Sequence, residues 1–235
     1  MLQSKIKTKV ITMIGKEISE TLSRAAIDSC KEHNIDAEIH HAVWGEENVI
    51  KEYEKYQLRP FYNIKKSRDT LGVRGCFLSH FQLWKEVIET KEPMLILEHD
   101  ALVIKDIPDS ILNYSFGVLN LDAYSRTAED YEEHLNKPLI AGIRKNIVET
   151  PAFSRNWQTF DDTSIKGLHA YIIKPAGAKD LIEFTYEYGV LPADVHVNSI
   201  SCNLLVTNSS LCRVNPTYWL PKKRKSINSY TRTDP

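Results

Sequence analysis

The chain has 235 residues, 42% hydrophobic and 26% charged, a composition that excludes fibrous, low-complexity and membrane-embedded classes. Its formal net charge of −1 excludes the broad basic field of a general nucleic-acid binder. No apolar run approaches the ~20 residues a membrane crossing needs, and the start of the chain lacks the apolar core of a signal peptide. Residues 9–14 (KVITMI) read as a short buried strand. Residues 17–33 predict a helix, with Ile18, Leu22, Ala25, Ala26 and Ser29 on its apolar or small face and Asn34 as its stop. Residues 36–43 alternate, which places Ala37, Ile39, His41 and Val43 on one face of a second strand. Strand, helix, strand in the first 45 residues points to a right-handed βαβ unit.

Residues 46–70 are charged and aromatic and read as loop or short helices. In 75–91, Phe77, Phe81, Trp84 and Ile88 recur at helical spacing, and Pro93 closes that segment. Residues 94–97 and 117–121 read as strands. Residues 122–166 are polar and without periodicity, as functional loops are. Residues 168–174 are strand-like, and Pro175 opens a helix reaching about Tyr188. Short strands are expected around 203–207 and 211–214. The order fits one α/β domain with a C-terminal extension.

The chemistry concentrates in LILEHDALV, 95–103, where a buried strand runs into Glu98, His99 and Asp100. Residues two apart in an extended chain share a face, so Glu98 and Asp100 can meet one cation while His99 points away. The carboxyl end of a strand is where α/β folds bind ligands, and hard divalent cations take carboxylate oxygens and substrate phosphates. Ser79 and His80 are helix neighbours, splayed too far apart to act as nucleophile and base. His80 instead reads as a semi-buried residue bonding a loop. GVRGC, 72–76, lacks the order of a phosphate loop, and its glycines shape a helix entrance. In PADVHVN, 192–198, Asp194 is either a turn or cap residue or a carboxylate that takes a proton from an acceptor hydroxyl. The four cysteines, Cys30, Cys76, Cys202 and Cys212, form no C-x-x-C pair and no zinc spacing; reduced, buried thiols suit the cytoplasm. Lys222, Lys223, Arg224 and Lys225 form either a solvated tail or a contact for an anionic partner.

LGVRGCFLSHFQLW followed after about ten residues by LILEHDALV resembles the core signature of glycosyltransferase family 25, the lipopolysaccharide and collagen galactosyltransferase-like enzymes. KVITMI…SRAAIDSCKEHNIDAEIHHAVWG and GLHAYIIKPAGAKDLI…LPADVHVN are similar to the family's opening and later segments, in the same order. The resemblance implies a GT-A-like, Rossmann-like α/β domain with a mixed, mostly parallel sheet over 1–220, with 221–235 as a basic tail. It implies a nucleotide-sugar donor, a glycan acceptor such as lipopolysaccharide, and Mn²⁺ or Mg²⁺ on Glu98 and Asp100. Glu98, His99, Asp100, Ser79, His80, Arg24 and His169 become the expected donor-binding residues. The family's usual triplet is Glu-Asp-Asp, so His99 is a departure that bears on metal use. Lipopolysaccharide members invert, which needs a base; Asp194 is the first candidate and Asp162 the second. The location implied is cytoplasmic, at most peripheral to the inner membrane. Two alternatives stand beside this: transfer to hydroxylated bases of modified DNA through the basic tail, and a non-catalytic sugar-nucleotide or glycan binder.

Overall fold

The computed structural model describes residues 6–62, 64, 66, 69–122, 167–207 and 210–216. Asp162 and the basic run 222–225 lie outside the described residues. The element order opens with β1 (Lys7–Thr12), α1 (Glu17–Glu32), β2 (Ala37–His41), α2 (Glu46–Lys55) and α3 (Leu71–Thr90). It continues with β3 (Met94–Glu98), β4 (Ala101–Val103), a 3-10 turn (Asp109–Asn113), β5 (Val118–Asn120) and β6 (Ala170–Ile173). The helices α4 (Pro175–Tyr188) and α5 (Ala193–His196) and the strands β7 (Leu204–Val206) and β8 (Cys212–Val214) complete it.

Six strands form one sheet in the order β2-β1-β3-β6-β5-β7. The pairings β1/β2, β1/β3 and β5/β7 are parallel, and β6 is antiparallel to both its neighbours. Five strands therefore run one way and β6 the other, the mixed and mostly parallel sheet that the sequence leads one to expect. β4 and β8 pair in a separate antiparallel ribbon.

The central strand β3 is buried on both faces, which is why it reads as an unbroken apolar run. Met94 and Ile96 pack into the layer built by α2, α3, α4 and α5, while Leu95 and Leu97 pack on the opposite side with Ala26 and Cys30 of α1. α3 begins four residues earlier than its periodicity predicts, because Thr70 caps it by accepting from the Val73 N–H at 3.3 Å. Gly72 thus lies inside the helix rather than before it, and Gly75 lies in its second turn. Gly75 has a packing reason: a Cβ there would come within 2.5 Å of the Val43 carbonyl oxygen, so glycine lets the helix press against the end of β2. Phe77, Phe81 and Trp84 are fully buried, as their spacing predicts.

The edge strand β2 departs from expectation. Ala37 is half-buried, but Ile39 and His41 are exposed, because a strand with a neighbour on one side only lacks full cover. β1 ends at Thr12, two residues short of its predicted end. The short helix α5 replaces the turn expected at 192–196.

Candidate active site

The carboxyl ends of β1, β2, β3, β5 and β7 and the start of β6 share one edge of the sheet, since Ile11 pairs Glu98, Leu97 pairs Ala170 and Asn120 pairs both Tyr171 and Val206. Glu98 and His169 meet there: the Glu98 N–H donates to the His169 carbonyl at 2.7 Å, extending the β3/β6 ladder. The strand pleat sends Glu98 to the same side as Met94 and Ile96, toward α3. Gly167, at φ +92°, is needed beside them, because a Cβ there would sit 2.7 Å from His169 Nε2.

α3 supplies the next layer. It runs antiparallel to β3, which brings its N-terminal half to the same edge. Cys76 and His80, four residues apart, lie one above the other on its inner face. His80 Nε2 is 3.3 Å from Glu98 Oε1, and the Cys76 thiol donates to the same oxygen at 3.9 Å. Glu98 Oε2 takes His169 Nδ1 at 3.3 Å, and Asp100 Oδ1 is 3.8 Å from that nitrogen. Donor atoms of Glu98, Asp100 and His169 all lie within 4.8 Å of one another, and so do those of Cys76, His80 and Glu98. His99 belongs to neither group; β3 ends at Glu98, and His99 and Asp100 lie in a turn, so the strand alternation expected from the sequence does not extend to them.

Burial and charge compete at these groups. Desolvation acts to raise the Glu98 pKa, but hydrogen bonds from His169 and His80 overcome it and hold the carboxyl well below the usual range. Burial raises Asp100, against the attraction of His169. Desolvation would lower His169, yet its hydrogen bond to Glu98 and the charges of Asp100, Glu98 and Asp122 push it up to about 9. Cys76 is raised well above the ordinary thiol value by desolvation and then by Glu98, Asp194 and Asp100. Asp194, half-buried in the first turn of α5, therefore acts on the same small region as the strand-end carboxylates.

The other expected donor-binding residues divide. Ser79 is buried, accepting from the Val43 N–H at 2.9 Å and donating to the Gly75 carbonyl at 2.8 Å, so its hydroxyl joins α3 to the β2–α2 connection. Arg24 is exposed on α1, its guanidinium against Thr21 at 3.2 Å, and is not among the groups gathered at Glu98. His80 is fully buried rather than semi-buried, and it bonds Tyr171 of β6 and Glu98 rather than a loop. Sequence reasoning missed Cys76 and Tyr171. The C-x-x-x-H spacing inside a predicted helix was a usable signal for Cys76; Tyr171 carried none, because nothing local marks which strand residue will meet a helix.

The family model described as "Glycosyltransferase family 25 (LPS biosynthesis protein)" matches residues 18–197, which include α3, the Glu98–Asp100 strand end, His169 and Asp194. A search of the curated proteins finds no match to the chain. No helix among the described residues is long and apolar enough to cross a membrane.

Proposed function

Because the chain belongs to glycosyltransferase family 25, we propose that it moves a sugar from a nucleotide-sugar donor to a hydroxyl of a glycan acceptor, of the lipopolysaccharide class. The observation that carries this reading is the convergence of Glu98, Asp100 and His169 at the carboxyl edge of the sheet. Asp100 Oδ1 is buried there with no hydrogen-bond partner among the described residues, an atom suited to a cation. Two carboxylates and an imidazole fit Mn²⁺, and the carboxylates alone fit Mg²⁺. Glu98, Asp100 and His169 would hold the ion, which when bound supplies positive charge for a departing diphosphate.

The chain's own residues do the rest in this reading. Glu98 and Asp100 orient the donor's phosphate end, and His99 stands beside them at the turn. Asp194 takes the proton of the acceptor hydroxyl as that oxygen attacks the anomeric carbon, with inversion. Its effect on Cys76, shared with Glu98 and Asp100, supports its membership of the site. The enzyme works at the cytoplasmic side, peripheral to the inner membrane where its acceptor is assembled.

The test is a panel of nucleotide sugars assayed for transfer and hydrolysis with and without Mn²⁺. Turnover of one donor that collapses on chelation is expected. Lack of turnover with every donor, under conditions where nucleotide sugars still raise the melting temperature, would make the protein a binder instead.

A further inference from the structure

The hydrogen bonds behind Glu98 have a direction, and a donor-only group sets it. The indole nitrogen of Trp84 lies 2.9 Å from the Tyr171 hydroxyl and can only donate. The same hydroxyl lies 2.9 Å from His80 Nδ1. Tyr171 is fully buried, and burial pushes its pKa well above the ordinary tyrosine value, so its oxygen keeps a hydrogen. Among the described residues that hydrogen has one acceptor, His80 Nδ1. Were Nδ1 protonated instead, the Tyr171 oxygen would accept twice and its own hydrogen would be buried without a partner, at the full desolvation penalty. At the other end of the imidazole, Glu98 is an acceptor-only carboxylate, so Nε2 must carry a hydrogen. Both ends demand the same tautomer.

The geometry points to His80 as a positioning residue, fixed as the Nε2–H tautomer by a Trp84–Tyr171 relay so that it turns Glu98 with Oε1 spent inside the protein and Oε2 facing Asp100 and His169. This rests on the reading of Glu98 as a cation ligand. It also assigns the second cluster. Cys76, His80 and Glu98 are close enough for a thiolate-imidazole metal site, but such a site needs a lone pair on Nε2 and a thiolate. The relay removes the first. Cys76 serves instead as another donor to Oε1. Outer hydrogen bonds of this kind typically affect metal affinity 10–100-fold.

Nitrogen-15 NMR of the histidine rings in the metal-free full-length protein, with the His80 signals assigned by their loss in His80→Gln, reads the tautomer directly. Nε2–H with an unprotonated Nδ1 is expected; an Nδ1–H ring would overturn the proposal. Mn²⁺ titration of side-chain variants supplies the functional readout. In His80→Gln the amide N–H takes the place of Nε2–H, and affinity should stay close to wild type. In His80→Asn the amide reaches only the place of Nδ1, and affinity should fall about tenfold or more. Equal affinities in both folded variants would reduce His80 to packing and overturn the proposal. Zn²⁺ binding that shifts the His80 ring signals and is lost in Cys76→Ser would overturn it too. If the wild-type chain binds no Mn²⁺, the cation reading fails, and the tautomer alone decides the relay.

Discussion

At the scale of single residues, Asp100 and Asp194 face unequal demands. Asp100 is buried, and its Oδ1 has no hydrogen-bond partner among the described residues, so its charge costs stability in the metal-free protein. Asp100→Asn should lower transfer by ~10²-fold or more while leaving the metal-free melting temperature no lower than wild type. Steady-state kinetics beside a thermal melt checks this, and wild-type kcat with a normal melt would remove Asp100 from the site. Asp194 faces a different test. A base acts on the acceptor in the transition state, so Asp194→Asn should lower kcat and leave donor affinity nearly intact. Loss of donor binding with kcat retained at saturation would make it a donor contact. The proximity of Glu98 and Asp100 was expected from an extended strand end, but β3 stops at Glu98 and His99 and Asp100 form a turn, so the two acids come together through that turn and not through the pleat. The role of His80 was not legible, because a tautomer depends on Tyr171 and Trp84, which only tertiary packing brings to it.

At the scale of elements, α3 is the part on which the site depends. It packs against β3, α2, α4 and α5 and carries His80 and Trp84 on buried positions and Cys76 on a half-buried one. Trp84 is fully enclosed, stacked on His196 with ring centroids 5.7 Å apart and edge-on to Phe77 at 5.6 Å. Trp84→Ala should cost roughly 3–5 kcal/mol in a denaturant titration. A variant as stable as wild type would mean that the helix is not the packing element described. The apolar stripe of α3 was readable because Phe77, Phe81 and Trp84 keep helical spacing. Its start was not, since Thr70 announces a cap only once the backbone turns there. Gly75 read as a residue shaping the helix entrance; its use is closeness to the Val43 carbonyl, a partner 32 positions away in the numbering.

At the scale of the whole molecule, the buried histidines set how stability responds to pH. Burial among Phe77, Trp84 and Phe184 pushes His196 down to about 4, from an ordinary value of 6.5. The unfolded chain therefore binds a proton there that the folded chain refuses. The contribution of His196 is present above pH 6.5 and is lost as pH falls toward 4, by roughly 3 kcal/mol at one such site. His40, also pushed down to about 4 by burial, has the same sign. His169 has the opposite one: raised to about 9, it stabilises the metal-free protein below pH 6.5 and loses that contribution as pH rises to 9. Melting curves from pH 4 to 9 should show a maximum near neutrality, and a His196→Phe variant that keeps the full acid loss would contradict the assignment. The sheet was broadly readable because its central strands are apolar runs, yet the reversal of β6 was not, since the direction of a strand is decided by its tertiary pairing and not by its own pattern. The central claim is that the strand-end acids hold a cation that a nucleotide-sugar donor needs. The most direct measurement is the melting temperature of wild type and Asp100→Asn with a nucleoside diphosphate, with and without Mn²⁺. The account predicts a rise in wild type that requires both additions and is absent in Asp100→Asn, because a ligand that binds only the folded state must stabilise it. A rise of the same size without Mn²⁺, or one that survives in Asp100→Asn, would contradict it.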